Sequence, residues 1–351
     1  MQKTMKVALM VGNNQMELVE REVPTPGDDQ VLVKIEYVGI CGSDSHIFAV
    51  DWGKRVTRPH VLGHECAGTV VEVGKNVKNL KIGDKVSLEP GKTCGKCEFC
   101  KTGRYNLCPD VIFFGAPNTN REQVDGVFLE YVAHDSDLCF KLPDNVSTLE
   151  GALIEPLAVG IHAANQGQAH PGQTAVVIGA GCIGLVSLMA LKICGVSKVF
   201  VTDIMDNRLA KAKELGADEI INSKSVDTVT RVKELTDGKG CDLVIDTAGS
   251  AFANGQAIAY MKKGATLVFV GYSPDDRMDL PFRDCLNKEI NFKTVFRYRN
   301  IYPMAIESVA AGLCDLKKIV TNIYPLDDIQ RAMEESITNK ADIVKSVIKI
   351  G

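Results

Sequence analysis

The spacing of hydrophobic positions divides the chain into two kinds of text. From residue 5 to about 142, short β-branched or alternating apolar runs sit between glycine-rich turns, and residues 31–38, 68–73 and 85–89 read as strands. Farther along, the period changes. Residues 174–178 form a continuous apolar run suited to a strand buried on both faces, and a helical stretch follows as far as Cys194. Residues 198–202 predict the next strand. Asp206 is placed to cap a helix that reaches Leu215 and stops at Gly216. Runs 242–246 and 265–270 repeat the strand pattern around another helix, and 341–350 is again strand-like. Strands alternating with helices imply a parallel sheet. The most economical reading is an α/β protein. A β-rich domain is drawn from both ends of the chain (1–159 and 291–351), and a doubly wound parallel-sheet domain is inserted at 160–290.

One run could mislead. Residues 175–191 are almost wholly apolar and near the length of a membrane span. Gly179, Gly181 and Gly184 interrupt it and no second such run exists, so it reads as strand, turn and helix. The 351 residues exceed one ordinary domain, and 45% hydrophobic with 24% charged residues excludes a disordered or fibrous chain. Forty basic and 44 acidic residues offer no concentrated basic surface, so neither nucleic acid nor an anionic membrane is an expected partner. The first residues lack the apolar core of a secretory signal, which leads to the expectation of a cytoplasmic protein.

Three constellations carry chemistry. Gly179-Ala-Gly181-Cys-Ile183-Gly184 follows a strand and opens a helix. The first glycine permits a tight turn, the second lets backbone approach a pyrophosphate, and the third lets helix and strand pack closely. Asp203 ends the next predicted strand, near the spacing expected of an acid that binds ribose hydroxyls and repels a 2′-phosphate, which favours NAD over NADP. The second is Cys94, Cys97, Cys100 and Cys108, four thiols in one short loop that can close a tetrahedron around structural Zn²⁺. The third is dispersed: Cys41, Ser43, Asp44 and His46, then His64 and Glu65, then Glu155. A sulfur, an imidazole and carboxylates form a ligand set that suits catalytic zinc.

Gly63-His64-Glu65 with Gly68, Gly74 and Val77 resembles the zinc signature of the medium-chain dehydrogenase/reductase superfamily. Gly42-Ser43-Asp44, the four-cysteine lobe and the glycine fingerprint follow in that superfamily's order. The segments around Gly103, Ile112, Lys141, Gly151 and Val295 are similar to the sorbitol (L-iditol) and related polyol dehydrogenases. The resemblance implies a GroES-like catalytic domain with a Rossmann domain, and zinc- and NAD-dependent oxidation of a polyol hydroxyl to the ketose in a homotetramer. It implies Cys41 and His64 as catalytic zinc ligands and Glu65 as the third. Glu155 stands where simple alcohol dehydrogenases carry a cysteine ligand, and is read as bound directly or through water. Gly179, Gly181, Ile183, Gly184, Asp203, Arg208, Val270, Tyr272, Val295 and Arg297 resemble coenzyme contacts. Ile47, Phe114, Glu155, Arg297 and Tyr298 resemble the substrate pocket, with Ile47 where mammalian sorbitol dehydrogenases have tyrosine. The four lobe cysteines, which mammalian members lack, imply a second zinc. Ser43 and His46 are placed for a proton relay, the alternatives being a capping hydroxyl and a surface imidazole. Another zinc alcohol dehydrogenase (threonine, butanediol or phosphorylated polyol) and a catalytically silent NAD- and zinc-binding protein are the rival readings.

Overall fold

The computed structural model describes residues 3–50, 56, 58–116, 123–273 and 277–350. The chain forms two compact units, Met1–Glu155 with Tyr302–Gly351, and Pro156–Ile301.

The first unit is built on a seven-stranded sheet. Its order is Val320–Pro325, Lys345–Lys349, Gln30–Gly39, Glu65–Val73, Lys85–Leu88 and Cys139–Lys141, with Tyr131–Asp135 also pairing with Gln30–Gly39. All pairings are antiparallel except that between Val320–Pro325 and Lys345–Lys349. One register match matters for the site: Gly39 lies opposite Glu65 on one neighbour and Val347 on the other. The segment leading into Cys41, the His64-Glu65 pair and the last strand of the chain therefore meet at one end of the sheet. Glycine is required where strands crowd, since a Cβ on Gly68 would lie 2.0 Å from the Lys34 carbonyl oxygen. Val33, Ile35, Phe48, Leu62, Val70, Phe128 and Ile348 fill the core behind this end. At about 1.5–3 kcal/mol for each fully buried side chain of this size, that core holds the ligand-bearing loops in place.

The second unit is a six-stranded, fully parallel sheet. Its order is Glu219–Asn222, Lys198–Asp203, Thr174–Ile178, Cys241–Asp246, Met261–Phe269 and Asn291–Thr294. Numbered within the unit this is 3-2-1-4-5-6, the Rossmann arrangement. Val176, Val177, Val199, Val201, Val244 and Ile245 are fully buried, which explains the continuous apolar text of the central strands. Residues 291–301, expected with the discontinuous domain, carry the sixth strand and lie in this unit.

Two local expectations change. Asp206 does not cap its helix: the helix is Asp206–Glu214 and its N-cap, Met205, makes no side-chain cap bond. The carboxylate of Asp203 accepts the N–H groups of Ile204 and Met205 at 2.7 and 2.9 Å, while Asp206 accepts from Asn222 Nδ2 at 2.6 Å. Gly216 does adopt the left-handed conformation, with φ of 96°. The strand-like text 341–350 condenses to Lys345–Lys349. No helix among the described residues is long and apolar enough to cross a membrane.

Candidate active site

Cys41 precedes the helix Gly42–Ala49 and occupies its N-cap. Asp44, three residues on, accepts the Cys41 N–H at 2.9 Å through Oδ2 and the Gly63 N–H at 3.1 Å through Oδ1. This carboxylate is fully buried and its Oδ1 lies 3.6 Å from His64 Nδ1. It ties two loops together and faces one nitrogen of the imidazole, leaving Nε2 as the ligand atom. Burial opposes the charge of both groups. Even so, His64 and the Cys41 and Gly63 N–H groups hold Asp44 below the usual carboxylate range, and Asp44 and Cys41 hold His64 well above the usual imidazole range. Phe113 closes the other side, its ring centroid 5.4 Å from that of His64.

Ligand atoms of Cys41, His64 and Glu65 all lie within 4.8 Å of one another, and His64 and Glu65 are almost entirely buried. Sulfur, nitrogen and carboxylate oxygen in one buried cluster fit Zn²⁺. Glu155 is not in this group. Its buried carboxylate lies in the first turn of the helix Ile154–Gln166, and after burial and Cys139 it adds, with Glu65, to pushing the Cys66 thiol up. Of the two carboxylates considered as third ligand, Glu65 is the one gathered with Cys41 and His64. Lys345, 2% exposed, forms an ion pair with Glu65 and donates to the Ile40 carbonyl at 2.9 Å, so one ammonium bridges the backbone beside Cys41 and the carboxylate beside His64. Ser43 and His46 lie on the exposed side of the same short helix, whereas Ile47, 3% exposed, is packed into the core next to Phe48. Phe114 is half-buried and packs on His134, with ring centroids 4.7 Å apart.

The lobe is a separate cluster in the same unit. Ligand atoms of Cys94, Cys97, Cys100 and Cys108 lie within 4.8 Å of one another, with Sγ separations of 3.4 Å (Cys97 to Cys100) and 4.0 Å (Cys94 to Cys100). A tetrahedron with Zn–S bonds of about 2.3 Å has sulfurs about 3.8 Å apart, so the fit is close. All four thiols are free. Gly95 and Gly103 take φ of 68° and 72°, turns that glycine adopts without strain, and the Cys97 sulfur accepts the Cys100 N–H at the start of the helix Glu98–Lys101. Backbone N–H groups of Lys96 and Cys97 pull the Cys94 thiol down to about 6. That favours a thiolate at Cys94, whereas burial pushes the Cys108 thiol up to about 12.

In the second unit the expected coenzyme residues line one edge. Gly179, Asp203, Val270, Tyr272, Val295 and Arg297 all lie at or just past the carboxyl ends of parallel strands, where open α/β sheets bind ligands. Gly179 has φ of 95°, Gly181 caps the helix Cys182–Ile193, and a Cβ on Gly184 would sit 1.9 Å from the Gly179 carbonyl oxygen. Ile183 stands in the first turn of that helix, half-buried. Asp203 Oδ2 accepts the Ala180 N–H at 2.6 Å, which links the acid directly to the glycine loop. The Arg208 guanidinium lies 3.8 Å from the Cβ position of Gly181, above the helix N-terminus. Tyr272 is 88% exposed, Tyr298 is buried, and Arg297 has φ of 56° with its guanidinium 4.9 Å above the Phe296 ring. A cavity of about 330 Å³ bounded by Gln173, Asp242, Lys262 and Asn291 opens at the opposite, amino-terminal ends of the strands, and so is not the dinucleotide site.

Sequence reasoning missed Lys345, Phe113 and the bridging role of Asp44. Asp44 was within reach, as an acid three residues past Cys41 beside a candidate ligand. Lys345 and Phe113 carried no local signal.

The family model for the alcohol dehydrogenase GroES-like domain matches residues 27–144, and that for the zinc-binding dehydrogenase domain matches residues 182–311. An uncharacterised zinc-type alcohol dehydrogenase-like protein of Escherichia coli K12, YdjJ, is 44% identical over 99% of each chain. The sorbitol dehydrogenase of Bacillus subtilis is 40% identical over 99% of this chain and 97% of its own. Among solved structures, an alcohol dehydrogenase of E. coli CFT073 complexed with NADH is 30% identical, covers 99% of this chain and 100% of its own, and superimposes with a TM-score of 0.90. With a GroES-like unit, a Rossmann unit and full-length identities of this size, the chain belongs to the zinc-containing medium-chain dehydrogenases, in the polyol dehydrogenase family.

Proposed function

We propose that this protein oxidises a secondary hydroxyl of a polyol of the sorbitol or xylitol type to the ketose and passes the hydride to NAD. The observation that carries the reading is the buried Cys41–His64–Glu65 cluster braced by Asp44. Cys41, His64 and Glu65 would hold one zinc and the four lobe cysteines a second. When bound, the catalytic zinc supplies Lewis acidity that lowers the pKa of a substrate hydroxyl, and NAD supplies the hydride acceptor.

The chain's own residues do the rest. Asp44 fixes the ring of His64, and Lys345 fixes the carboxylate of Glu65. Ser43 and His46, solvent-facing on the helix that begins at the metal cluster, carry the released proton outward. Glu155, Arg297 and Tyr298 supply the polar groups that read neighbouring substrate hydroxyls. Sites that pair a substrate hydroxyl reject its deoxy analogue by up to ~10⁴-fold, so plain alkyl alcohols are poor substrates on this reading. Asp203 takes the adenosine ribose, and its charge disfavours a 2′-phosphate. The discontinuous unit is then the catalytic domain and the inserted unit the coenzyme domain.

An initial-rate panel tests this: pentitols, hexitols, phosphorylated polyols, threonine, 2,3-butanediol and 2-propanol, each with NAD and NADP. The expected result is the highest kcat/KM for an unphosphorylated polyol with NAD. Preference for 2-propanol over every polyol, or for NADP, contradicts the substrate or the coenzyme assignment respectively.

A further inference from the structure

We propose that Thr247, held in place by Asp246, is the positioning residue of the glycine loop that receives the coenzyme. The inference rests on the NAD reading above. Thr247 is the first residue past the strand Cys241–Asp246. Its backbone N–H and its hydroxyl both donate to the Ile178 carbonyl, at 2.9 and 2.8 Å, and Oγ1 lies 3.4 Å from the Gly179 carbonyl oxygen. A Cβ on Gly179 would lie 2.8 Å from that Oγ1, and one on Gly184 would lie 3.1 Å from it. Two fingerprint glycines are thus packed around one threonine hydroxyl contributed by a strand more than sixty residues downstream.

The other side of Thr247 is equally tight. A Cβ on Gly271 would be 2.8 Å from the Thr247 carbonyl oxygen and 2.5 Å from the Gly249 nitrogen, and one on Gly249 would be 2.3 Å from the Tyr272 carbonyl oxygen. Residues 247–249 form a wedge between the glycine loop and the segment 270–272. Asp246 anchors that wedge. It is fully buried, and Oδ1 accepts the Ala248 and Gly249 N–H groups at 2.9 and 3.1 Å. Its Oδ2 accepts Asn254 Nδ2 at 2.9 Å, and its carbonyl accepts the Val270 and Gly271 N–H groups at 2.8 and 3.0 Å. One residue therefore fixes the wedge and the segment beyond it. Asn254 is also fully buried, and its Oδ1 has no hydrogen-bond partner among the described residues. Turning the Asn254 amide over would offer that oxygen to a donor at position 246.

This arrangement separates positioning from simple stability. Thr247→Val keeps the shape and removes the hydroxyl, while Thr247→Ser restores it. Asp246→Ala strands the wedge N–H groups. Asp246→Asn keeps an acceptor for them and lets Asn254 turn over to accept from the new amide. The test is NADH binding by fluorescence titration, alongside the melting temperature of each zinc-loaded protein. Thr247→Val is expected to weaken NADH binding by about tenfold, the scale of one buried hydrogen bond, with Thr247→Ser near wild type. Asp246→Ala is expected to lose at least as much, and Asp246→Asn to recover most of it. If Asp246→Ala does not fold, the Thr247 pair decides. Wild-type affinity in Thr247→Val overturns the proposal, as does a lowered melting temperature with unchanged NADH affinity, since that marks a purely structural role. A wild-type protein that binds no NADH overturns the coenzyme reading and this inference with it.

Discussion

Lys345 brings a positive charge into an interior where charge is costly unless paired, and its ammonium meets the Glu65 carboxylate there. Removing one partner of a buried pair costs about 3–5 kcal/mol, because the other is left uncompensated. In Lys345→Met, zinc on Glu65 can replace the missing charge. Melting in chelator is therefore expected to drop by many degrees relative to wild type, and melting with zinc by much less; equal losses in both conditions would show that Glu65 does not face the metal. Glu89 gives a second residue-scale expectation. It is 4% exposed, burial raises its carboxyl to about 7, and the hydroxyl of Tyr105, 2.8 Å away, restrains the rise. A carboxyl whose folded pKa lies above its unfolded value of about 4.5 favours the protonated native state. Its contribution is complete below pH 4.5 and is lost as pH rises through 7, for a total of about 3 kcal/mol. Glu89→Gln mimics the protonated form and still accepts from Tyr105. It is expected to be near neutral at pH 5 and stabilising at pH 8, as read by denaturant midpoints at the two pH values; a pH-independent difference refutes the assignment.

The elements that could be read from the sequence are those whose chemistry is local. The strand–glycine–helix sequence at 174–193 declares itself because turn, fingerprint and apolar helix are contiguous. The cysteine lobe does so because four ligands fall within fifteen residues. What escaped is longer in range: Asp44 meets Gly63 nineteen residues away, and Lys345 meets Ile40 at a separation of 305. Asp206 was misread as a cap for a related reason. The carboxylate of Asp203 holds the Ile204 and Met205 N–H groups just ahead of the helix, and that of Asp206 accepts from Asn222, sixteen residues away, so local propensity named a cap that the helix does not have. Phe113 ends the two-residue strand Ile112–Phe113, and its pairing with Gly91, twenty-two residues away, helps place the ring beside His64, which no local pattern announces. The lobe supports a prediction at this scale. Its regular structure amounts to one four-residue helix and a short 3₁₀ turn, so metal bonds supply much of its folding energy. Cys100→Ser is expected to lose one zinc, lower the melting temperature and leave residual polyol turnover at reduced temperature. Complete inactivity with both zincs retained would remove the structural role from the lobe.

At the scale of the whole molecule, the two ends of the chain share one sheet, and the second unit is a continuous insertion between them. The proposed catalytic cluster is therefore assembled from positions near residues 41, 64 and 345, while every candidate coenzyme residue comes from the inserted stretch. That division makes metal content and coenzyme binding separable by mutation, and metal content is the quantity on which the account turns. The decisive measurement is zinc per chain, determined on the same preparations as polyol-dependent NADH formation, for wild type and Cys41→Ser. The account predicts two zinc ions per chain in active wild type, from the two ligand clusters. In Cys41→Ser it predicts one zinc, a folded protein and turnover reduced to background. Full polyol turnover in protein with one zinc or none, or undiminished turnover in Cys41→Ser, would contradict it.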